Sequence, residues 1–286
     1  MLNTNSFRMN IQLLSRPPVI LRLLTLLLIT LTPILGSASE LMIKGSTTLQ
    51  PILETVSKAY LAGHSNAEIK VSGGGSGAGL MALLKGKVDI AATSYMPTHE
   101  DLERFSAQGV YPMFFRIAYD CIIPVVHPTN PVKNLSQKQL RDIYSGKTTN
   151  WNSLGGPDLP IMVVDRNILS GTYRLWQSKI VANETSMIER ITENSNIDVF
   201  SRVSQDHGAI GYIGIGYLNI RVKPLSINGE SGSVRNVKNG NYLLSRPLFL
   251  VTRDWPKGQT LEFIDYILHP EKGQRLIDES GYMPLY

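Results

Sequence analysis

The segment Gly45-Ser46-Thr47-Thr48-Leu49-Gln50-Pro51 links a short apolar run, residues 41–43, to a stretch with helical periodicity. The apolar run has the composition of a buried strand. The proline suits the first turn of a helix, where its missing N–H would have no partner. One helical face then carries apolar side chains, namely Ile52, Leu53, Val56, Ala59 and Tyr60. The segment therefore predicts a strand, a tight turn and an amphipathic helix.

Two later turns share this composition and the same setting. Residues 72–79 follow the strand-like run 69–71 and lead into a helix-like stretch, and Ser170-Gly171-Thr172 follows the strand-like run 161–164. Strands that alternate with helices favour an α/β fold with mostly parallel sheets. No fixed-period repeat or low-complexity linker follows residue 39, so we expect two lobes joined by chain crossings.

The three turns have the chemistry of an anion site. A helix N-terminus presents unpaired N–H groups and a partial positive charge. Glycine allows close approach of the backbone, and Ser or Thr hydroxyls add donors. A single turn of this kind is most often a helix cap. Three of them, with Arg166 four residues before Ser170, predict an anion-binding site, and Asp165 is the local candidate to orient the arginine.

The first 39 residues have the pattern of a secretory signal peptide. They carry Arg8, Arg16 and Arg22 but no acid, then an apolar run over 23–35, then small residues at 36–39. The alternative is an uncleaved membrane anchor, but the apolar run is short for a membrane span. Since Cys121 is far from the run and no cysteine follows it at the position of a lipid attachment site, we expect a soluble, periplasmic protein rather than a lipid-anchored one.

The charge and the cysteine content exclude other classes. The formal charge of the chain is +5, and removing residues 1–39 lowers it to +2, which gives no electrostatic case for a nucleic-acid partner. Cys121 is the single cysteine, so an intramolecular disulfide is impossible. Its apolar neighbours predict a buried, inert thiol.

Motifs for catalysis and for cofactors are incomplete. Gly146-Lys147-Thr148 lacks the first glycine of a P-loop, because position 141 is Arg141, and residues 74–78 lack the last glycine of a hydrolase elbow. The sequence thus predicts no cofactor. We expect no metal site either, because the histidines show no ligand spacing: His64, His99, His127, His207 and His269.

Several of these motifs resemble one family. The segment 45–51 resembles the opening motif of the PstS-type phosphate-binding proteins of ABC transporters, Gly75 to Gly79 resembles their second loop, and Arg166 to Thr172 resembles their Arg-x-x-x-Ser-Gly-Thr signature. Further similar stretches, in the same order, are 130–136, 150–151, 208–212 and 244–248. The resemblance covers residues 40 to 286.

The resemblance implies a type II periplasmic binding protein fold, with two α/β lobes and two hinge crossings. Each lobe is expected to be a mostly parallel sheet flanked by helices. After the signal peptide at 1–39, lobe 1 is expected to comprise 40–118 and 223–286, and lobe 2 to comprise 119–222. The crossings are expected near 118–119 and 222–224.

The resemblance also implies a ligand, a partner and a set of contacts. The expected ligand is inorganic phosphate, the partner is an inner-membrane ABC permease, and the protein is expected to be a monomer. The implied phosphate-binding residues are Thr48, Leu49, Ser76, Ser94, Arg166, Ser170, Gly171 and Thr172. Some family members have an acid where this chain has Ser94, so discrimination between phosphate and sulfate stays open.

Two other functions stay open at this point. One is an oxyanion sensor that uses the same closure to signal to a membrane partner. The other is a periplasmic phosphatase, which is disfavoured because neither a metal cluster nor an activated nucleophile is evident. We therefore expect a binding protein and not an enzyme.

Overall fold

A computed structural model describes residues 40–182 and 189–286; the predicted signal peptide lies outside these residues. The strands in the described part are β1 (Leu41–Gly45), β2 (Ile69–Ser72), β3 (Ile90–Thr93), β4 (Met113–Val126), β5 (Asn134–Leu135), β6 (Met162–Arg166), β7 (Ile191–Glu193), β8 (Ala209–Gly214), β9 (Lys223–Pro224), β10 (Ser226–Ile227) and β11 (Ser245–Thr252). The α-helices there are α1 (Gln50–Ala62), α2 (Ser76–Leu84), α3 (His99–Ser106), α4 (Gln137–Ser145), α5 (Gly171–Trp176), α6 (Asn196–Val203), α7 (Val234–Lys238), α8 (Gly258–Leu268) and α9 (Arg275–Glu279).

The sheet is parallel towards its two ends and antiparallel at its centre. Among the described residues, nine strands pair in the order β2-β1-β3-β11-β4-β8-β6-β7, with β9 beside β4, and β5 pairs separately with β10. β1 runs parallel to β2 and β3, and β6 runs parallel to β7 and β8. β4 and β11 run antiparallel to their neighbours. The mixed α/β architecture that the sequence predicts is therefore present.

The long strand β4 links two halves of the sheet. Its residues 113–121 pair with β11, and its residues 122–126 pair with β8. Each half has its own buried core, which defines two lobes. Lobe 1 contains β1, β2, β3 and β11 and buries side chains such as Ile43, Leu53, Ile90, Leu250 and Phe263. Lobe 2 contains β6, β7 and β8 and buries side chains such as Ile123, Trp151, Trp176, Ile210 and Tyr212.

The predicted lobe boundaries remain predictions, and the packing suggests one refinement. Leu225, Tyr242 and Leu244 belong to the lobe 2 core, although the sequence assigns 223–286 to lobe 1. The next strand, β11, packs in lobe 1 through Leu248 and Leu250. We therefore propose that the second crossing lies near Leu244, where the chain leaves the lobe 2 core.

Local sequence signals mark the starts of two helices. Thr98 and Asp101 form a capping box at the start of α3, and Ser136 and Gln139 form another at the start of α4. Cys121 is buried, and burial raises the pKa of its thiol, which fits the predicted inert role. None of the helices in the described ranges has both the length and the apolar character that a membrane crossing requires.

Candidate functional site

The three predicted turns meet in one place between the lobes. The hydroxyl oxygens of Thr48 and Thr172 lie 3.3 Å apart, and those of Ser76 and Ser94 also lie 3.3 Å apart. A Cβ atom added at Gly171, in lobe 2, would lie 2.4 Å from the hydroxyl oxygen of Ser94 in lobe 1. The turns thus form the two walls of a closed cleft, with buried hydroxyl groups on both sides.

Glycine is required at two positions of these walls. Gly45 ends β1 with a φ of +147°, and a Cβ there would lie 2.1 Å from the carbonyl oxygen of Ala92. Gly75 precedes α2 with a φ of +95°, and a Cβ there would lie 2.7 Å from the carbonyl oxygen of Leu169 in the other lobe. An L-residue would be strained at both positions. Gly45 therefore permits the close approach of β1 and β3 within lobe 1, and Gly75 permits the close approach of the two lobes.

Two tyrosines fix the first turn. Tyr217 donates to the carbonyl oxygen of Thr47 at 2.6 Å, and Tyr282 donates to that of Thr48 at 2.7 Å. Within the turn, the N–H of Thr48 donates to the hydroxyl of Ser46 and the N–H of Leu49 donates to the carbonyl of Ser46. The Leu49 N–H, which the sequence assigns to the ligand, is therefore engaged inside the turn in this conformation.

Ser94 lies among other hydroxyl groups. Its oxygen accepts a hydrogen bond from Ser46 at 3.1 Å, and its N–H donates to the hydroxyl oxygen of Ser76 at 3.1 Å. All three serines are buried. Since each hydroxyl can donate or accept, this wall can adapt to an oxygen atom that carries a proton or to one that does not. Position 94, which the resemblance assigns to the ligand and which some family members fill with an acid, is thus neutral here.

Arg166 reaches the cleft from the end of β6. Its Nη2 atom donates to the hydroxyl of Thr47 at 3.3 Å and to the carbonyl of Asn194 at 3.1 Å. Its Nε and Nη1 atoms are buried and have no hydrogen-bond partner in the described part of the chain. Burial lowers the pKa of Arg166 to about 10, so the guanidinium stays charged at neutral pH. Unpaired buried donors are costly, and an anion would satisfy them.

The orientation of Arg166 does not come from a pair with the Asp165 carboxylate, so that expectation is wrong. The carboxylate of Asp165 accepts from Arg190 at 2.6 Å and from the hydroxyl of Tyr212. It contacts Arg166 only through the backbone N–H, at 2.8 Å. The physical reason is strand geometry, because successive side chains of β6 point to opposite faces of the sheet.

Arg246 is a second arginine in the cleft, and sequence reasoning did not assign it to the site. Its Nη2 atom donates to the hydroxyl oxygens of Thr48 at 2.9 Å and Thr172 at 3.2 Å. The carboxylate of Asp120, on β4, accepts from its Nη2 at 2.7 Å and its Nε at 2.9 Å. The Nη1 atom is buried without a partner among the described residues. In the sequence, this pair is indicated by a charged residue within each of two largely apolar strands, since a buried charge needs a partner.

Burial raises the pKa of Asp120, and the neighbouring Arg246 opposes that shift. The other carboxylate oxygen of Asp120 accepts from the N–H of Ile215 at 3.0 Å. Each charge is thus matched to the other by charge-assisted hydrogen bonds. Arg246 is thereby held in place towards the two threonines.

Asn196 is the other group that the sequence did not single out. Its Nδ2 atom donates to the hydroxyl oxygens of Thr47 at 3.1 Å and Thr48 at 3.2 Å. Its Oδ1 atom accepts from the N–H of Gly214 at 3.2 Å. The side chain is fully buried at the start of α6. Because Ser195 already caps the helix, Asn196 has the sequence context of an ordinary first helical residue and carries no specific signal of a site.

The site as a whole suits a small anion. It combines hydroxyl and amide groups with two buried guanidinium groups, and Asp120 offsets the charge of one of them. Such fixed donors replace the water of hydration of an anion. Across residues 40–182 and 189–286, no three His, Cys, Asp or Glu side chains are grouped closely enough to hold a metal ion.

Comparisons with known proteins agree with this geometry. A sequence model of the PBP superfamily domain matches residues 33–271. The phosphate-binding protein PstS of Bacillus subtilis (strain 168) is 30% identical over 254 residues, which covers 87% of this chain and 82% of the relative.

Solved structures share the fold. A Clostridium perfringens protein ascribed to a phosphate ABC transporter and crystallised with bound phosphate has a TM-score of 0.80 and 31% identity, covering 87% of this chain and all of that one. An ABC-type phosphate transport receptor from Vibrio cholerae has a TM-score of 0.68 and 33% identity, covering 85% and 99%. The chain therefore has the two-lobed type II fold and belongs to the PBP superfamily, in the family of the phosphate-binding protein PstS.

Proposed function

We propose that this protein binds inorganic phosphate and delivers it to an ABC-type phosphate importer. The phosphate lies between the lobes, where its oxygen atoms accept hydrogen bonds from the three turns and from Arg166. The contacting residues are those that the sequence assigns, Thr48, Leu49, Ser76, Ser94, Arg166, Ser170, Gly171 and Thr172, together with Arg246 and Asn196.

One observation carries the proposal. Arg166 is 2% exposed, two of its guanidinium nitrogen atoms have no partner in the described residues, and the third donates to the hydroxyl of Thr47 in the other lobe. A guanidinium presents a planar fork of donors that matches two oxygen atoms of a phosphate. A tetrahedral oxyanion would pair these donors and bridge to the opposite lobe.

Capture and release follow from lobe motion. The ligand favours closure to the extent that it binds the closed form more tightly than the open form, and the closed form then docks on the permease. The relatives named PstS support a location outside the cytoplasm. We propose a monomeric periplasmic protein whose leader at residues 1–39 directs its export.

We propose that the protein binds phosphate without reacting with it. Catalysis of ester hydrolysis needs an activated nucleophile or a metal-bound water. The hydroxyls of Thr48 and Ser94 contact other hydroxyls, an amide and Arg246, and the nearby Asp120 is bound to Arg246. This set offers no free general base.

Calorimetric titration of the purified protein with phosphate and with sulfate tests the function. We expect saturable heat with phosphate at one site per chain. Absence of heat with both anions, on protein that circular dichroism shows to be folded, would overturn the proposal. A phosphate-release assay with an ester substrate tests the absence of enzyme activity, and turnover would contradict it.

A further inference from the structure

A second contact between the lobes lies outside the anion site. Arg174, on α5 in lobe 2, places its guanidinium carbon 4.6 Å from the centre of the Tyr95 ring in lobe 1. Its Nη1 atom lies 3.5 Å from a carboxylate oxygen of Asp101, also in lobe 1. We call Arg174, Tyr95 and Asp101 the rim contact. The guanidinium of Arg174 is attracted both to the aromatic face of Tyr95 and to the carboxylate of Asp101.

One lobe 1 partner, Asp101, is held in position by hydrogen bonds within its own lobe. The same Asp101 oxygen accepts hydrogen bonds from the N–H and the hydroxyl of Thr98, both at 3.0 Å, in the capping box of α3. The nearby Arg104 is paired with Glu100 at 2.6 Å. Arg174 is therefore the cation that approaches Asp101 from the opposite lobe, and the acid needs little reorganisation to receive it.

The rim contact adjoins the anion site on both sides. Arg174 lies two residues after Thr172, and its N–H donates to the carbonyl of Ser170 at 3.1 Å. Tyr95 directly follows Ser94. A movement of either wall of the anion site therefore moves one half of the rim contact. The contact can form only when the walls are close together.

A hydrogen bond between backbone groups of the two lobes lies beside the rim contact. The N–H of Gly77, on α2, donates to the carbonyl of Leu169 across the cleft at 3.0 Å. Leu169, Asp101 and Arg174 line the same small cavity between α2, α3 and the start of α5. The side chain of Arg174 is 41% exposed, so it lies at the edge of the cleft and not beside the anion.

We propose that Arg174 is a positioning residue that holds the lobes closed and thereby sets the rate at which the anion leaves. This inference rests on the proposed function. Arg174 does not touch the ligand; it stabilises the closed form, from which the ligand cannot escape. A contact that forms only after the transition state for closure slows opening and leaves the rate of closure almost unchanged. The association rate should therefore change little.

The experiment measures release of radiolabelled phosphate after dilution into unlabelled phosphate. Arg174→Ala should release it about 5- to 10-fold faster, as expected for the loss of one partly exposed cation–π contact and one partly exposed ion pair. Arg174→Lys should recover part of the loss, since it keeps the charge. Arg202→Ala is the matched control, because Arg202 pairs with Glu193 inside lobe 2 at 3.3 Å and is similarly exposed.

An Arg174→Ala release rate within two-fold of wild type, or an equal change in Arg202→Ala, would overturn the proposal. Small-angle X-ray scattering separates this result from a failure of the proposed function. If the wild-type protein binds no phosphate, the radius of gyration of Arg174→Ala should still exceed that of wild type and of Arg202→Ala. Identical radii in that case would also overturn the proposal.

Discussion

The hydroxyl oxygens of Thr48 and Thr172 lie 3.3 Å apart, although 124 residues separate them in the chain. One nitrogen atom of Arg246 donates to both. The first threonine precedes a helix of lobe 1 and the second begins a helix of lobe 2. The two lobes therefore meet through hydroxyl groups around a charged donor, and this is where we propose that an oxyanion contacts both lobes.

Arg166→Ala should abolish most phosphate binding. The variant removes a guanidinium whose charged hydrogen bonds are worth about 1.5–3 kcal/mol each. We expect a loss of about 3 kcal/mol, roughly 100-fold in affinity, by calorimetric titration. Arg166→Lys keeps the charge without the fork of donors, so its affinity should be intermediate. A wild-type titration curve for Arg166→Ala would refute the assignment of the site.

Gly171→Ala should prevent closure without harming the fold. Its Cβ would lie 2.4 Å from the Ser94 hydroxyl and 2.7 Å from the Ser76 hydroxyl, both across the cleft. We expect phosphate affinity to fall about 100-fold or more, while the free energy of unfolding changes by less than about 1 kcal/mol. Titration and urea unfolding measure the two effects.

Gly63→Ala is the matched control for this variant. At Gly63 the nearest atom to an added Cβ is the carbonyl oxygen of Tyr60 at 3.8 Å, and Gly63 is remote from the turns in sequence. It should bind phosphate like wild type. If Gly171→Ala also binds like wild type, the closed arrangement of the lobes is not the one that holds the ligand.

The pair of Arg246 and Asp120 should matter for both stability and binding. Arg246→Met leaves the fully buried carboxylate of Asp120 without its cation, which should destabilise the protein by about 3–5 kcal/mol in urea unfolding. The double variant Asp120→Asn with Arg246→Met removes both charges and should recover much of that loss. Both variants should bind phosphate more weakly. A double variant that is no more stable than Arg246→Met would show that the two charges are not coupled.

Much of the fold follows from local sequence signals. The capping residues Thr98 and Ser136 mark the starts of two helices, and apolar periodicity marks α1. The apolar run 122–126 marks only the end of strand β4, which begins at Met113. Its first part carries Arg116 and Asp120, and a charge in a strand breaks the apolar pattern that sequence reading relies on.

The site was predictable where it depends on local chemistry. Turns of Gly, Ser and Thr between a strand and a helix can be recognised from the sequence, and so can the motif from Arg166 to Thr172. The pair of Asp120 and Arg246 joins positions 126 residues apart, so its existence depends on how β4 and β11 align. Closeness in sequence can also mislead. Asp165 is the acid next to Arg166 in the chain, but its carboxylate pairs with Arg190.

Ser94→Asp should make the site discriminate between oxyanions. Ser94 contacts the hydroxyl groups of Ser46 and Ser76 at 3.1 and 3.3 Å, so a carboxylate here would lie on the wall of the cleft. A protonated oxygen of phosphate can donate to that carboxylate, whereas sulfate has no proton to donate at neutral pH and would be repelled.

The measurement is the ratio of the dissociation constants for sulfate and phosphate. In Ser94→Asp, sulfate affinity should fall at least about 100-fold and phosphate affinity by less than about 10-fold. Ser94→Asn has a similar size without the charge, so it should weaken both anions by comparable factors. Equal losses for both anions in Ser94→Asp would contradict this account, because they would mean that the residue at position 94 does not face a ligand oxygen. Rejection of sulfate by the wild-type protein would show instead that a neutral wall is already selective.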